Sequence, residues 1–189
     1  HRRFSELPAL LRSRDLLVIN NSRVFPARLY GRREPTGGAV EVLLLSRGEP
    51  GHWWAMVKPG KKIHEGTVLS FAQGRVFAEV IRYGGKGERL IKFDAAPEPL
   101  DRLIEKIGVP PLPPYILKER KRLADAARDE SAGERKKGFA HFETEEDRRR
   151  YQTVYARETG SVAAPTAGLH FTDELLDELR RRGHEIAEI

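Results

Sequence analysis

The rhythm of apolar and polar positions changes along the chain, and the changes divide it. Residues 1–14 space Leu7, Leu10 and Leu11 as the core-facing side of a short helix. Residues 15–20, DLLVIN, are a continuous apolar run with polar ends and predict a buried strand. NNSRVFPARL follows over 20–29 as a polar turn and an extended exit, with Pro26 excluding any helix there. From Leu29 to about Asp94, short β-type runs take over at 39–45, 53–57, 67–71, 75–82 and 88–93. Thr36-Gly37-Gly38 and Gly84-Gly85-Lys86-Gly87 supply hairpin turns between them. No helical period interrupts these runs, so they predict a small all-β unit, closed into a barrel because closure removes unpaired edges.

Beyond the β runs a helix is expected over 100–107. The stiff segment GVPPLPPYI, residues 108–116, then returns as a linker. Residues 118–137 are highly charged and broken at Ser131-Ala132-Gly133, and part of 118–141 reads as a mobile surface insertion. A capping box at 144–147 opens a helix carrying Tyr151, Val154 and Tyr155 on one face, up to a break at Gly160. Residues 161–164, SVAA, predict a closely packed strand that Pro165 stops, and Ala167-Gly168 allows close backbone approach. Thr172 is the expected N-cap of a helix whose apolar face is Leu175, Leu176 and Leu179, closed by Gly183 before a strand at 185–189. Strand, loop, helix and strand make a βαβ unit, whose ligands gather at strand-to-helix loops, here residues 165–171. The expected fold is thus a mixed α/β larger domain, residues 1–28 and 106–189, interrupted by a small inserted all-β barrel domain, residues 29–105.

Composition narrows the chemistry. The 189 residues include 39% hydrophobic and 33% charged, as in a soluble globular protein, and the expected location is cytoplasmic. No apolar run is long enough for a membrane helix, and the absence of Cys excludes disulfides and thiolate metal sites. The six His lack ligand spacing, so no metal is expected. A net charge of +6 favours a polyanionic partner, RNA above all. The chain starts at His1 and stops inside an expected strand, which suggests a fragment; a monomer is the expected state.

Several segments share an ordered pattern. AAPTAGLHFT at 163–172, with YQTVYA at 151–156, resembles the signature of S-adenosylmethionine:tRNA ribosyltransferase-isomerases of queuosine synthesis. NNSRVFPARL resembles that family's NDTRVxPARL, KPGKK at 58–62 its KPxKK element, and GVPPLPPYI its G-x-x-PLPPYI element. Two departures stand out: Asn21 where an Asp is usual, and Ser22 where a Thr is usual. The resemblance implies an α/β domain interrupted by a β-barrel. It also implies transfer and isomerisation of the ribosyl part of S-adenosylmethionine onto the aminomethyl-deazaguanine base of tRNA. Adenine and methionine leave, epoxyqueuosine-tRNA is the product, and no permanently bound cofactor takes part.

Such a reaction needs a base for the ribose 5′ carbon proton. Imidazole exchanges protons near neutrality, so His170 is the candidate, with a core imidazole as the alternative. A sulfonium is favoured by aromatic faces, which Tyr151 or Tyr155 offers if it is not core. Asn20, Asn21, Ser22, Arg23, Pro165, Thr166, Ala167 and Gly168 are candidates for polar and backbone contacts to adenine and ribose. Arg23 and Arg28 could instead pair with a phosphate or the methionine carboxylate. Lys58, Lys61, Lys62, Arg148 and Arg149 are the candidate grip on tRNA phosphates, and solvated surface is their alternative role. Trp53 and Trp54 should face opposite sides of a strand. A non-catalytic RNA-binding protein is the competing reading, favoured by Asn21. An ordinary methyltransferase is disfavoured by the missing glycine-rich nucleotide loop.

Overall fold

A computed structural model of the chain describes residues 1–126 and 143–189. These form two compact units, one of His1–Phe25 with Glu146–Ile189, the other of Pro26–Glu145.

The second unit is built on six strands: β3 (Arg28–Arg33), β4 (Gly38–Arg47), β5 (His52–Lys58), β6 (Val68–Phe71), β7 (Val76–Tyr83) and β8 (Glu88–Phe93). They close into an antiparallel barrel, as expected, in the order β3-β4-β5-β8-β7-β6. Alternate residues point inward, and Leu29, Val40, Val42, Leu44, Ala55, Leu69, Val80 and Ile91 are fully buried. At about 1.5–3 kcal/mol per large apolar side chain, this interior outweighs any exposed ion pair on the surface. The charge of Arg32 and Arg33 conceals β3 in the sequence, yet β3 closes the barrel. Gly31 lies opposite Phe71 on β6, where a Cβ would overlap the Ser70 carbonyl and come within 2.7 Å of the Phe71 ring. Trp53 is buried and Trp54 half-buried on the other face, under the Arg82 guanidinium at 4.9 Å.

Helix α2 (Pro97–Ile107) follows the barrel, and Gly108 lets the chain pass against the Pro26 carbonyl where a Cβ would overlap it. The proline-rich run is extended only as far as Pro113. Pro114 sits at the first position of α3 (Pro114–Ala126), where a missing N–H costs nothing. The expected mobile insertion at 118–141 is helical up to Ala126, and its remainder lies outside the described residues.

In the first unit, residues 1–14 form one 3-10 turn and a four-residue helix, α1 (Leu7–Leu10), rather than a longer helix. Leu7 and Leu11 pack on the core and Leu10 is exposed. Strand β1 (Leu16–Ile19) pairs in parallel with β10 (Glu185–Glu188), and β2 (Ser22–Val24) with β9 (Glu158–Ser161). The run 15–20 is therefore not buried on both faces: Ile19 is inside while Leu16 and Val18 are 53% and 52% exposed. The expected strand at 161–164 lies three residues earlier and includes Gly160, because pairing with β2 sets its place. The strands flanking α5 (Asp173–Arg181) belong to different two-stranded sheets, so they do not form a one-sheet βαβ unit. Thr172 caps α5 as expected, its Oγ1 accepting from the Leu175 N–H at 3.2 Å. Leu175, Leu176 and Leu179 pack with Ile19, Tyr155 and Phe171. Gly183, at φ +83°, ends the helix.

Helix α4 (Glu145–Arg150) stops before the tyrosines expected on its face. Tyr151, Thr153 and Tyr155 are buried while Val154 is exposed, and the segment runs through turns, the Ala156 N–H donating to the Thr153 carbonyl at 3.2 Å. Among the described residues no helix is long and apolar enough to cross a membrane.

Candidate functional site

In the first unit, the asparagine pair sits where β1 ends and the chain changes partner from β10 to β9. The Asn21 N–H donates to the Ile189 carbonyl at 3.1 Å. The Asn21 carbonyl accepts from the N–H groups of Arg157 and Glu158 at 2.7 and 3.2 Å. Asn20 Oδ1 accepts from the Ser22 N–H at 2.8 Å, which shapes the turn. Asn21 Nδ2 donates to Glu188 Oε2 at 3.3 Å, and Glu188 is also ion-paired with Arg157 at 3.1 Å. A carboxylate thus lies beside position 21 although Asn occupies it. Ser22 is half-buried in the β2–β9 ladder, and Arg23 is exposed with no ion pair among the described residues. This turn lies at the carboxyl ends of two parallel strands, the usual place for a ligand in an open α/β sheet.

Gln152, inside the YQTVYA segment, makes a two-point clamp that the candidate residues did not include. Its Oε1 accepts from the Val24 N–H at 2.9 Å, and its Nε2 donates to the Val24 carbonyl at 2.6 Å. It thereby pairs with β2 as a neighbouring strand would. Its position between two buried tyrosines was the available signal.

The loop with the proline and histidine is a 3-10 helix, Thr166–His170, whose first turn is fixed by the Gly168 N–H donating to the Pro165 carbonyl at 2.7 Å. Gly168 is buried against Tyr155 and Thr153. A Cβ there would overlap the Tyr155 hydroxyl and approach Thr153 Cγ2 to 2.8 Å. The close approach that Ala167-Gly168 permits is therefore to a side chain of the YQTVYA segment. Pro165 is half-buried, and Thr166 and Ala167 are exposed. Tyr151 and Tyr155 are buried, and Tyr155 meets Phe171 edge-on at 6.0 Å, as a core residue does. Burial also pushes the Tyr155 phenol up from its ordinary pKa.

His170 departs from the core-imidazole alternative. It is exposed and tilted against the Phe4 ring at 5.3 Å, with no hydrogen bond among the described residues. The structure joins the 151–156 segment to both the Val24 strand end and the Gly168 loop. No hydrogen bond, ion pair or ring contact among the described residues joins residues 20–23 to His170.

The remaining candidates divide between the units. Arg148 and Arg149 close α4 in the first, the former half-buried and the latter exposed. Arg28 lies in the second unit, where it is buried. Its Nη1 donates to Glu143 at 2.8 Å, its Nη2 to the Leu112 carbonyl at 3.2 Å, and its Nε lies 3.4 Å from Glu41. Tyr30 Oη also donates to Glu143 at 2.9 Å. Burial first, and the Glu143 carboxylate second, hold the Tyr30 phenol far above its ordinary pKa.

The KPGKK loop is a 3-10 turn, Gly60–Lys62, after β5. Arginines hold its backbone: Arg33 Nη1 donates to the Lys62 carbonyl at 2.8 Å, and Arg89 Nη2 to the Gly60 carbonyl at 3.4 Å. Lys58 pairs with Glu41 at 3.4 Å, and Lys61 and Lys62 are exposed. Among the described residues, no group of three or more His, Asp or Glu is placed to hold a metal ion.

A model of the queuosine biosynthesis protein family matches residues 1–189. The chain belongs to that family. Its curated relatives include S-adenosylmethionine:tRNA ribosyltransferase-isomerases from Symbiobacterium thermophilum, 47% identical, and Moorella thermoacetica, 43% identical. Each match covers all of this chain and 48% of the relative, so the chain spans about half the length of these family members. A crystal structure of an S-adenosylmethionine tRNA ribosyltransferase from Thermotoga maritima is 31% identical, with a TM-score of 0.38, over all of this chain and 44% of that one.

Proposed function

We propose that the protein to which this chain belongs transfers and isomerises the ribosyl group of S-adenosylmethionine onto the aminomethyl-deazaguanine base of tRNA. Epoxyqueuosine-tRNA, adenine and methionine are the products. The observation that carries this reading is 40–47% identity over all 189 residues to curated S-adenosylmethionine:tRNA ribosyltransferase-isomerases. The enzyme works in the cytoplasm as a monomer, uses S-adenosylmethionine as a consumed co-substrate and needs no metal or resident cofactor. The non-catalytic alternative rested on Asn21 alone, and nothing else favours it.

In this reading His170 removes the proton from the ribose 5′ carbon that the sulfonium acidifies. Its exposure and its uncommitted ring nitrogens support that role. Asn20, Asn21, Ser22, Arg23 and residues 165–168 meet the adenine and ribose. Asn21 and the neighbouring Glu188 together offer an amide and a carboxylate. Lys58, Lys61, Lys62, Arg148 and Arg149 hold tRNA phosphates. Arg28, with its guanidinium already paired, serves the reaction by keeping its own unit in order.

The test uses full-length protein with precursor tRNA and S-adenosylmethionine. Adenine and methionine released in equal amounts are expected; S-adenosylhomocysteine means methyl transfer and overturns the reading. In His170→Ala, solvent deuterium exchange at the ribose 5′ carbon should disappear, and unchanged exchange removes His170 from the role.

A further inference from the structure

The barrel unit carries a groove that neither the reaction nor the family match explains. It has a volume of about 660 Å³, within the range of sites for small ligands. Its apolar lining includes Pro35, Val68 and Phe77; Val68 and Phe77 are 38% and 39% exposed although each sits in a strand. Arg33, Lys62 and His64 line it as well.

Three features make this more than a chance depression. The Arg33 guanidinium is fixed in place: Nε donates to Thr36 Oγ1 at 2.9 Å and Nη1 to the Lys62 carbonyl at 2.8 Å. That ties the β3–β4 turn to the KPGKK loop and leaves Nη2 outside these bonds. The lining acid, Glu34, is held by a hydrogen bond from Ser70 Oγ and keeps its charge, so the lining sets two cations, Arg33 and Lys62, against one carboxylate. Residues 28–94 contain twelve Lys and Arg against seven Asp and Glu, a net +5 of the +6 that the whole chain carries. The groove thus lies in the part of the chain that carries most of its net positive charge.

From this we infer that the groove is a subsite for an unpaired nucleotide of the tRNA. The base lies on Phe77, Val68 and Pro35, and the adjoining phosphate is held by Arg33 and Lys62. An exposed aromatic ring beside a fixed guanidinium and an exposed lysine suits a base joined to a phosphate, since every base has a π-face and every linkage a charge. An acidic protein segment would match the charge but leave the ring without a stacking partner. The inference rests on the reading of tRNA as substrate, and it extends the role of Lys62 from one phosphate contact to one side of a built site.

The test measures binding of full-length protein to substrate tRNA and to a fluorescent single-stranded RNA heptamer, across a salt series, alongside adenine release. Phe77→Ala should weaken both RNAs about 5- to 150-fold, the range of one lost base stack, with the salt slope unchanged. Lys62→Ala should lower the tRNA salt slope by about 0.7–0.9. Both positions are exposed, so thermal unfolding should match the parent in each variant. Parent-like affinity of Phe77→Ala for both RNAs overturns the subsite. So does displacement of the heptamer by a glutamate heptapeptide at equal concentration, which would identify an acidic protein partner instead. If the parent protein binds tRNA and the variants behave as stated but no adenine is released, the groove stands and the catalytic reading falls. If adenine is released and the variants bind normally, the catalytic reading stands and the groove falls.

Discussion

Every strand of the barrel unit has a partner on each side, whereas among the described residues every strand of the other unit has one. The barrel is held by backbone ladders, four of its six between consecutive strands, around an interior that excludes water. The other unit pairs β1 with β10 and β2 with β9, across most of the chain length. There, side chains do work that ladders do in the barrel. Gln152 stands in for a strand beside Val24, Asn20 shapes the turn after β1, and Tyr155 fills the space that Gly168 leaves. The family-like segments at 20–29, 151–156 and 163–172 thus include the locking parts of a thinly laddered unit. Their sequence is constrained by folding as well as by any chemistry they perform.

The comparison is broken most severely at the barrel seam. Gly31→Val drives a branched side chain into the Ser70 carbonyl and the Phe71 ring. It should cost about 3 kcal/mol or more, read as a fall in thermal stability and loss of β circular dichroism. Leu29→Ala, at a fully buried site, should cost about 2–5 kcal/mol by denaturant unfolding. In the other unit Gly168→Ala should cost about 1–3 kcal/mol through contact with the Tyr155 hydroxyl. Adding Tyr155→Phe removes the offending oxygen, so the double variant should be more stable than the two single effects predict, a coupling measured by a double-mutant cycle. Gln152→Ala should cost about 1–3 kcal/mol, since it strips the Val24 N–H and carbonyl of their partners.

The smallest expected effect is alkaline. The folded-state pKa of Tyr30 lies above its ordinary value of 10.0, so the protonated phenol favours the fold. That contribution is complete below about pH 10 and is lost as pH rises from there through the folded-state value. Denaturant midpoints should therefore fall more steeply above pH 10 in the parent than in Tyr30→Phe.

How much of this the sequence disclosed follows from the same contrast. Barrel strands were legible because period-two burial and glycine turns are local signals, as residues 39–45 show. Strand β3 was obscured because it ends in two arginines, exposed Arg32 and half-buried Arg33, and its inward position 31 is a glycine. In the other unit the local signals misled. Tyr151, Val154 and Tyr155 have helical spacing, but α4 ends at Arg150 and the buried set is 151, 153 and 155. Strand β9 is polar ETGS, placed by its pairing with a strand far away in the chain, so no apolar pattern marks it. Motif resemblance located the segments holding the candidate site. It could not show that Gln152 clamps Val24, that Glu188 stands beside Asn21, or that His170 is exposed, because each depends on the assembled unit.

The most direct test follows the sugar itself. Full-length protein is incubated with precursor tRNA and S-adenosylmethionine labelled in the ribose carbons, and the tRNA is digested to nucleosides. The account predicts label in the modified anticodon nucleoside, in proportion to free adenine. Label confined to S-adenosylmethionine or S-adenosylhomocysteine, with none entering the tRNA, would contradict it.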